Sequence, residues 1–89
     1  MNVCVKMTPE ELEARLSGGS RARNLAVYWG LGSMPSDPVR NLYVVVNGEL
    51  KGFFAVDHME GNTAVMYPED WHPLPPRQIP HFKDSFVEF

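Results

Sequence analysis

The sequence predicts an α+β domain: a small, mostly antiparallel, barrel-like sheet of five or six strands with one short N-terminal helix. Three observations carry that expectation. Asn41–Asp57, NLYVVVNGELKGFFAVD, reads as two strands joined at Asn47-Gly48. Thr8–Gly19 opens with Thr-Pro-Glu-Glu and closes on two glycines, the punctuation of a short helix. The other apolar runs are short and bounded by Gly, Pro, Asn and Asp, which suits strands rather than further helices.

In chain order, Asn2–Met7 is an apolar, β-branched run and a first strand. Thr8 then serves as an N-cap, Pro9 sits at N1 where its missing N–H costs nothing, and Glu11 at N3 completes a capping box. Both glutamates suit the positive end of the helix dipole. Leu12 and Leu16 share a face, and a helix of about two to three turns must dock by them because it is too short to persist alone. Ser20–Arg23 is a small basic segment. A second strand over Asn24–Leu31 places Leu25, Val27 and Trp29 on one face and Ala26, Tyr28 and Gly30 on the other. Gly32–Pro38 is a loop.

In the hairpin, Asn-Gly tolerates the positive φ that both positions of a type I′ turn require. An unbroken register from that turn sets Val46 against Glu49, Val45 against Leu50, Val44 against Lys51 and Tyr43 against Gly52. Tyr43, Val45, Leu50, Gly52, Phe54 and Val56 then share one apolar face, the expected core side. Leu42, Val44, Val46, Glu49, Lys51, Phe53 and Ala55 form the mixed face, solvated near the turn and covered at its far end. His58–Asn62 reads as a turn and Thr63–Tyr67 as a strand antiparallel to the second arm. Pro68–Pro80 holds five prolines and is expected to be irregular, a packed cover or a functional loop. Lys83–Phe89 alternates enough for a last strand, and closing the sheet into a barrel would remove its edges.

Composition sets bounds. Residues 1–89 make a single small domain, which buries about 60–65% of its unfolded surface. The net charge of −3 argues against gripping duplex nucleic acid by general electrostatics but leaves room for a local basic patch. Cys4 is the only cysteine, so no internal disulfide forms; its apolar run favours an inert buried thiol over a nucleophile. No apolar run approaches the roughly 18 residues of a membrane span and no signal peptide is visible, so a cytoplasmic protein without membrane contact is expected.

Few residues carry chemistry. His58, His72 and His81 lack metal-ligand spacing, and surface histidines are the default reading. Glu69, Asp70 and His72 could build an acid–base pair, yet no nucleophile accompanies them and a solvated charge cluster is the commoner outcome. No catalytic residue, metal or cofactor is therefore expected. Trp71, His72, Arg77, His81, Phe82 and Lys83 mix aromatic and cationic groups, the combination that grips single-stranded nucleic acid. The competing reading has Trp71 and Phe82 plugging the barrel end. The acidic residues Glu10, Glu11, Glu13, Glu69, Asp70, Asp84 and Glu88 could meet a basic partner or simply solvate the surface.

Leu42-Tyr43-Val44, Asn47-Gly48 and Lys51-Gly52-Phe53-Phe54, followed by Trp71-His72-Pro73-Leu74-Pro75 and the Phe-rich Phe82–Phe89, resemble small PUA-like barrels of the ASCH group, in particular short phage-type members. The resemblance covers Asn41–Phe89. It implies a β-barrel with a flanking helix and binding of RNA or a modified nucleotide. The Gly-x-Lys-x-x-Glu-x-Arg stretch of that group is absent, and Gly48-Glu49-Leu50-Lys51 does not replace it, so no catalytic residue carries over. The expectation is a non-enzymatic PUA-like module for RNA or single-stranded nucleic acid. Trp71, His72, Arg77, His81 and Lys83 would form the contact loop, and Arg21 and Arg23 would hold phosphates. The alternative is a small phage or mobile-element accessory protein, anti-CRISPR-like, that binds and inhibits a host protein. A homodimer through a sheet edge would serve either.

Overall fold

Extended, β-branched runs dominate the chain, and they pair into one sheet. The structure, a computed structural model, describes all residues from Met1 to Phe89. Its elements are β1 (Asn2–Lys6), α1 (Pro9–Ser17), β2 (Val27–Gly30), β3 (Asn41–Val46), β4 (Glu49–Glu60), β5 (Thr63–Gln78) and β6 (Phe86–Glu88). The six strands run in the order β2-β5-β4-β3-β1-β6. β1 and β3 are parallel and every other pair is antiparallel. The sheet curls into a half-barrel but does not close, since β2 and β6 form opposite edges.

α1 forms as its sequence prescribes. Glu11 N donates to Thr8 Oγ1 at 3.1 Å and Thr8 N to Glu11 Oε1 at 2.8 Å, the reciprocal capping box. Leu12 and Leu16 dock on the core. Arg15 donates through Nε to Tyr28 O at 2.9 Å and lies 4.6 Å over the Trp29 ring. That contact blunts the free edge of β2, an exposed pairing surface that proteins commonly cover. At the other edge, Ser36 donates through N and Oγ to the Glu88 carboxylate beside β6.

The core lies on the inner face. Val3, Val5, Leu42, Val44, Val46, Phe54, Ala64 and Met66 fill it, joined by Val27, Leu31 and Val39. This corrects the expected core side of the hairpin, and the cause is one residue. Val46 pairs with Glu49 and Val45 with Leu50 as expected, but the register then shifts and Val44 pairs with Gly52. Lys51 is the extra residue, and a one-residue bulge moves every later side chain of β4 to the other face. Tyr43 consequently lies opposite Phe53, and Leu42 opposite Phe54. Tyr43, Val45 and Leu50 fall on the outer face, outside the inner cluster, although Val45 is still buried there. The aromatic that covers Gly52 is Trp71: a Cβ on Gly52 would come within 2.7 Å of the Trp71 ring.

Two other expectations are corrected. β4 continues through His58 to Glu60, and only Gly61-Asn62 makes the turn, with Gly61 at φ 62°. The proline-rich stretch is a strand: β5 runs for 16 residues to Gln78. β2 pairs only with Thr63–Met66, so the rest of β5 is an edge where no neighbour needs its N–H groups. On its other side, toward β4, Pro68 falls in the register break between Met66 and Trp71. Pro75 and Pro76 fall in the break between Pro73 and Arg77. Edges and bulges are the positions where a sheet tolerates proline.

Candidate nucleic-acid interface

The bulge at Lys51 creates the most distinctive surface of the molecule. By turning Phe53 outward beside Tyr43, it starts a ladder of aromatic rings across the outer face. Tyr43 and Phe53 stack with ring centroids 4.9 Å apart. Phe53 stacks on His72 of β5 at 4.8 Å, since those residues are cross-strand partners. Phe89 meets Tyr43 edge-on at 5.0 Å. Phe89 is held in place by a pair of backbone bonds, Asn2 N to Phe89 O at 3.2 Å and Phe89 N to Asn2 O at 2.9 Å. The stacked rings cover one another's faces, so the ladder offers its ends: His72 is exposed on β5 and Phe89 is 63% exposed.

Beside the ladder lies a groove of about 570 Å³. Cys4, Tyr43 and Leu50 form its floor, and Leu74, Ile79 and Phe82 are among its walls. Arg77 and His81 are its cationic or potentially cationic lining residues, and no Asp or Glu side chain lines it. Burial raises the Cys4 thiol pKa, because the thiolate would lose its hydration, so this sulfur stays protonated and unreactive. The segment after β5 bounds the groove. Lys6 Nζ donates to the Phe82 carbonyl oxygen and lies 4.6 Å from the centre of the Phe82 ring.

The seven residues singled out from the sequence divide among different places. Arg77 and His81 come together in the groove, His72 lies in the ladder on the same outer face, and Lys83 follows in the exposed segment before β6. Trp71 does not join them. It alternates to the inner face, where its ring lies 4.8 Å from Phe54 and packs against the core. Arg21 is engaged elsewhere. Its guanidinium pairs with Asp70, lies 3.7 Å from Asp57 and stacks 4.3 Å over the Tyr67 ring. Its pKa is raised, first by the Asp70 hydrogen bond. Arg23 is exposed in the same turn, away from the groove lining.

Glu69 accepts from Arg21 N at 2.9 Å and from Ser20 Oγ at 3.3 Å. With Asp70 tied to Arg21 and His72 stacked in the ladder, the suspected acid–base cluster is instead two structural contacts. His58 sits between Asp57 and Glu60 at 2.7 and 3.0 Å, and no three metal-ligating side chains converge. Sequence reasoning missed Tyr43, Phe53 and Phe89 as site residues. The ladder depends on the bulge, which has no local signature, whereas the terminal Phe89 was visible as the end of an alternating run. No protein-family model, curated protein or solved structure matches this chain.

Proposed function

We propose that this chain is a non-enzymatic binding module that takes single-stranded nucleic acid, RNA in the first instance, on the outer face of its sheet. The observation that carries the reading is the continuity of the aromatic ladder with a groove lined by Arg77 and His81 and by no acidic side chain. Single strands are gripped by aromatic stacking, worth about 1–3 kcal/mol per base, together with cations that follow the backbone. Both ingredients occur here locally, although the whole chain carries a net charge of −3. Trp71 is replaced in the contact set by Phe89, which Tyr43 and Phe53 support from within the ladder; His72, Arg77, His81 and Lys83 stay in it. The PUA-like resemblance supports the reading only as an analogy of fold.

The test is fluorescence anisotropy of the purified protein with random pools of single-stranded RNA and DNA at two salt concentrations. Micromolar binding that weakens with salt is expected, and Phe89→Ala should weaken it further. An absence of binding at low salt overturns the proposal. Host-protein capture then becomes the leading reading, with the apolar groove as the contact surface.

A further inference from the structure

We infer that the outer groove is blind at one end and holds the phosphorylated terminal nucleotide of a strand, not an internal one; this rests on the nucleic-acid reading above. The floor spans three adjacent strands, through Leu50 of β4, Tyr43 of β3 and Cys4 of β1. One wall belongs to β5, through Arg77, and the opposite wall to β6, through Val87. The chain that links these two walls, Ile79–Ser85, crosses the end of the sheet and contributes Ile79 to Phe82 to the same lining. Polypeptide therefore runs without a break around three sides.

That linking strap is fastened along its length. Ile79 N donates to Gly48 O at 2.9 Å at its start. Lys6 holds the Phe82 carbonyl at its middle. Ser85 Oγ donates to Leu31 O at 2.6 Å at its end. The fourth side opens toward the ladder, since Tyr43 and Phe89 belong to both ladder and groove. A chain end that enters through this open side, crossing the ladder rather than following it, runs between the two walls and meets the strap. The volume of about 570 Å³ lies within the range of small-ligand pockets, which suits one nucleotide unit. Arg77 is the one permanently charged side chain in the lining, and a guanidinium fork matches a phosphate in geometry and charge.

The test compares one short RNA sequence in four forms: linear with a 5′ phosphate, linear with a 3′ phosphate, linear with neither, and covalently circular. One phosphorylated linear form should bind about tenfold tighter than the circle, the size of one charge-assisted hydrogen bond. Arg77→Ala should remove that advantage, and Arg77→Lys should retain part of it. Equal binding of circle and linear forms overturns end recognition while leaving nucleic-acid binding standing. A linear preference indifferent to phosphate overturns the role of Arg77. Binding by none of the four overturns the inference together with the reading beneath it.

Discussion

Tyr43 and Phe53 stand directly opposite one another, ring centroids 4.9 Å apart, because Lys51 is an extra residue in β4. Without it Tyr43 would face Gly52, and Phe53 would turn toward the core. The pair therefore reports on the bulge as well as on packing. A double-mutant cycle of Tyr43→Leu and Phe53→Leu should show a coupling of about 0.5–1.5 kcal/mol, as for other cross-strand aromatic pairs. Urea denaturation of the four proteins measures it. A coupling near zero would mean that the rings do not share a face in solution.

Gly52 should tolerate no side chain. A Cβ there would lie 2.4 Å from His72 O, 2.7 Å from the Trp71 ring and 2.9 Å from Pro73 Cα. Two of these atoms are backbone, so the neighbouring strand itself must shift. Gly52→Ala should destabilise the fold by about 1–3 kcal/mol, the usual cost of overpacking. Gly30→Ala is the control, because nothing lies within 4 Å of its Cβ position. Thermal melting should separate the two by several degrees, and equal melting temperatures would show that Trp71 does not sit over Gly52.

These residues also show why part of the molecule was legible in the sequence. The Thr8–Glu11 capping box and the Asn47-Gly48 turn are local: each is specified by adjacent residues, and both occur as expected, Asn47 at φ 52° and Gly48 at φ 77°. The bulge at Lys51 is set by what packs on either side of β4, so the register from Val44 onward was out of reach. The strand through Pro68–Gln78 was hidden for a similar reason. Proline excludes a central strand, but whether a strand is an edge depends on how far β2 extends beside it. His72, Arg77 and His81 were legible as a site because they are close in sequence. Tyr43, Phe53 and Phe89 come from three separate segments and meet only once the sheet has formed.

Two surface groups should give stability opposite dependences on pH. The pKa of His58 is raised by hydrogen bonds to Asp57 first and Glu60 second. The folded state therefore holds the proton more tightly, and this contribution is complete below the ordinary histidine value of 6.5 and lost as pH rises through the raised one. The pKa of Glu69 is lowered, chiefly by a hydrogen bond from its own backbone N–H and then by those from Arg21 N and Ser20. Its contribution is complete above the ordinary value of 4.5 and lost as pH falls through the lowered one. Melting temperatures of the native chain, His58→Gln and Glu69→Gln from about pH 3 to about pH 8 resolve the two effects. The His58→Gln deficit should shrink as pH rises, and the Glu69→Gln deficit should shrink as pH falls. Both groups are exposed and screened, so each shift should be small.

Arg77 and Arg21 provide the sharpest contrast, since the sequence offers both as phosphate contacts and the structure separates them. Arg77 lines the groove, whereas the Arg21 guanidinium is occupied by Asp70, Asp57 and the Tyr67 ring. For a single strand, each phosphate contact contributes about 0.7 to the slope of log affinity against log salt. Arg77→Ala should lower that slope by about this amount, and adding Lys83→Ala should lower it again. Arg21→Ala should leave the slope unchanged and lower the melting temperature, because it leaves Asp70 without its cation and Asp57 with His58 alone. The reverse pattern, an altered slope in Arg21→Ala and none in Arg77→Ala, would move the binding surface from the aromatic face to the turn at Ser20–Asn24. There the exposed Arg23 is the neighbouring cation that a strand would reach, so Arg23→Ala would then lower the slope as well.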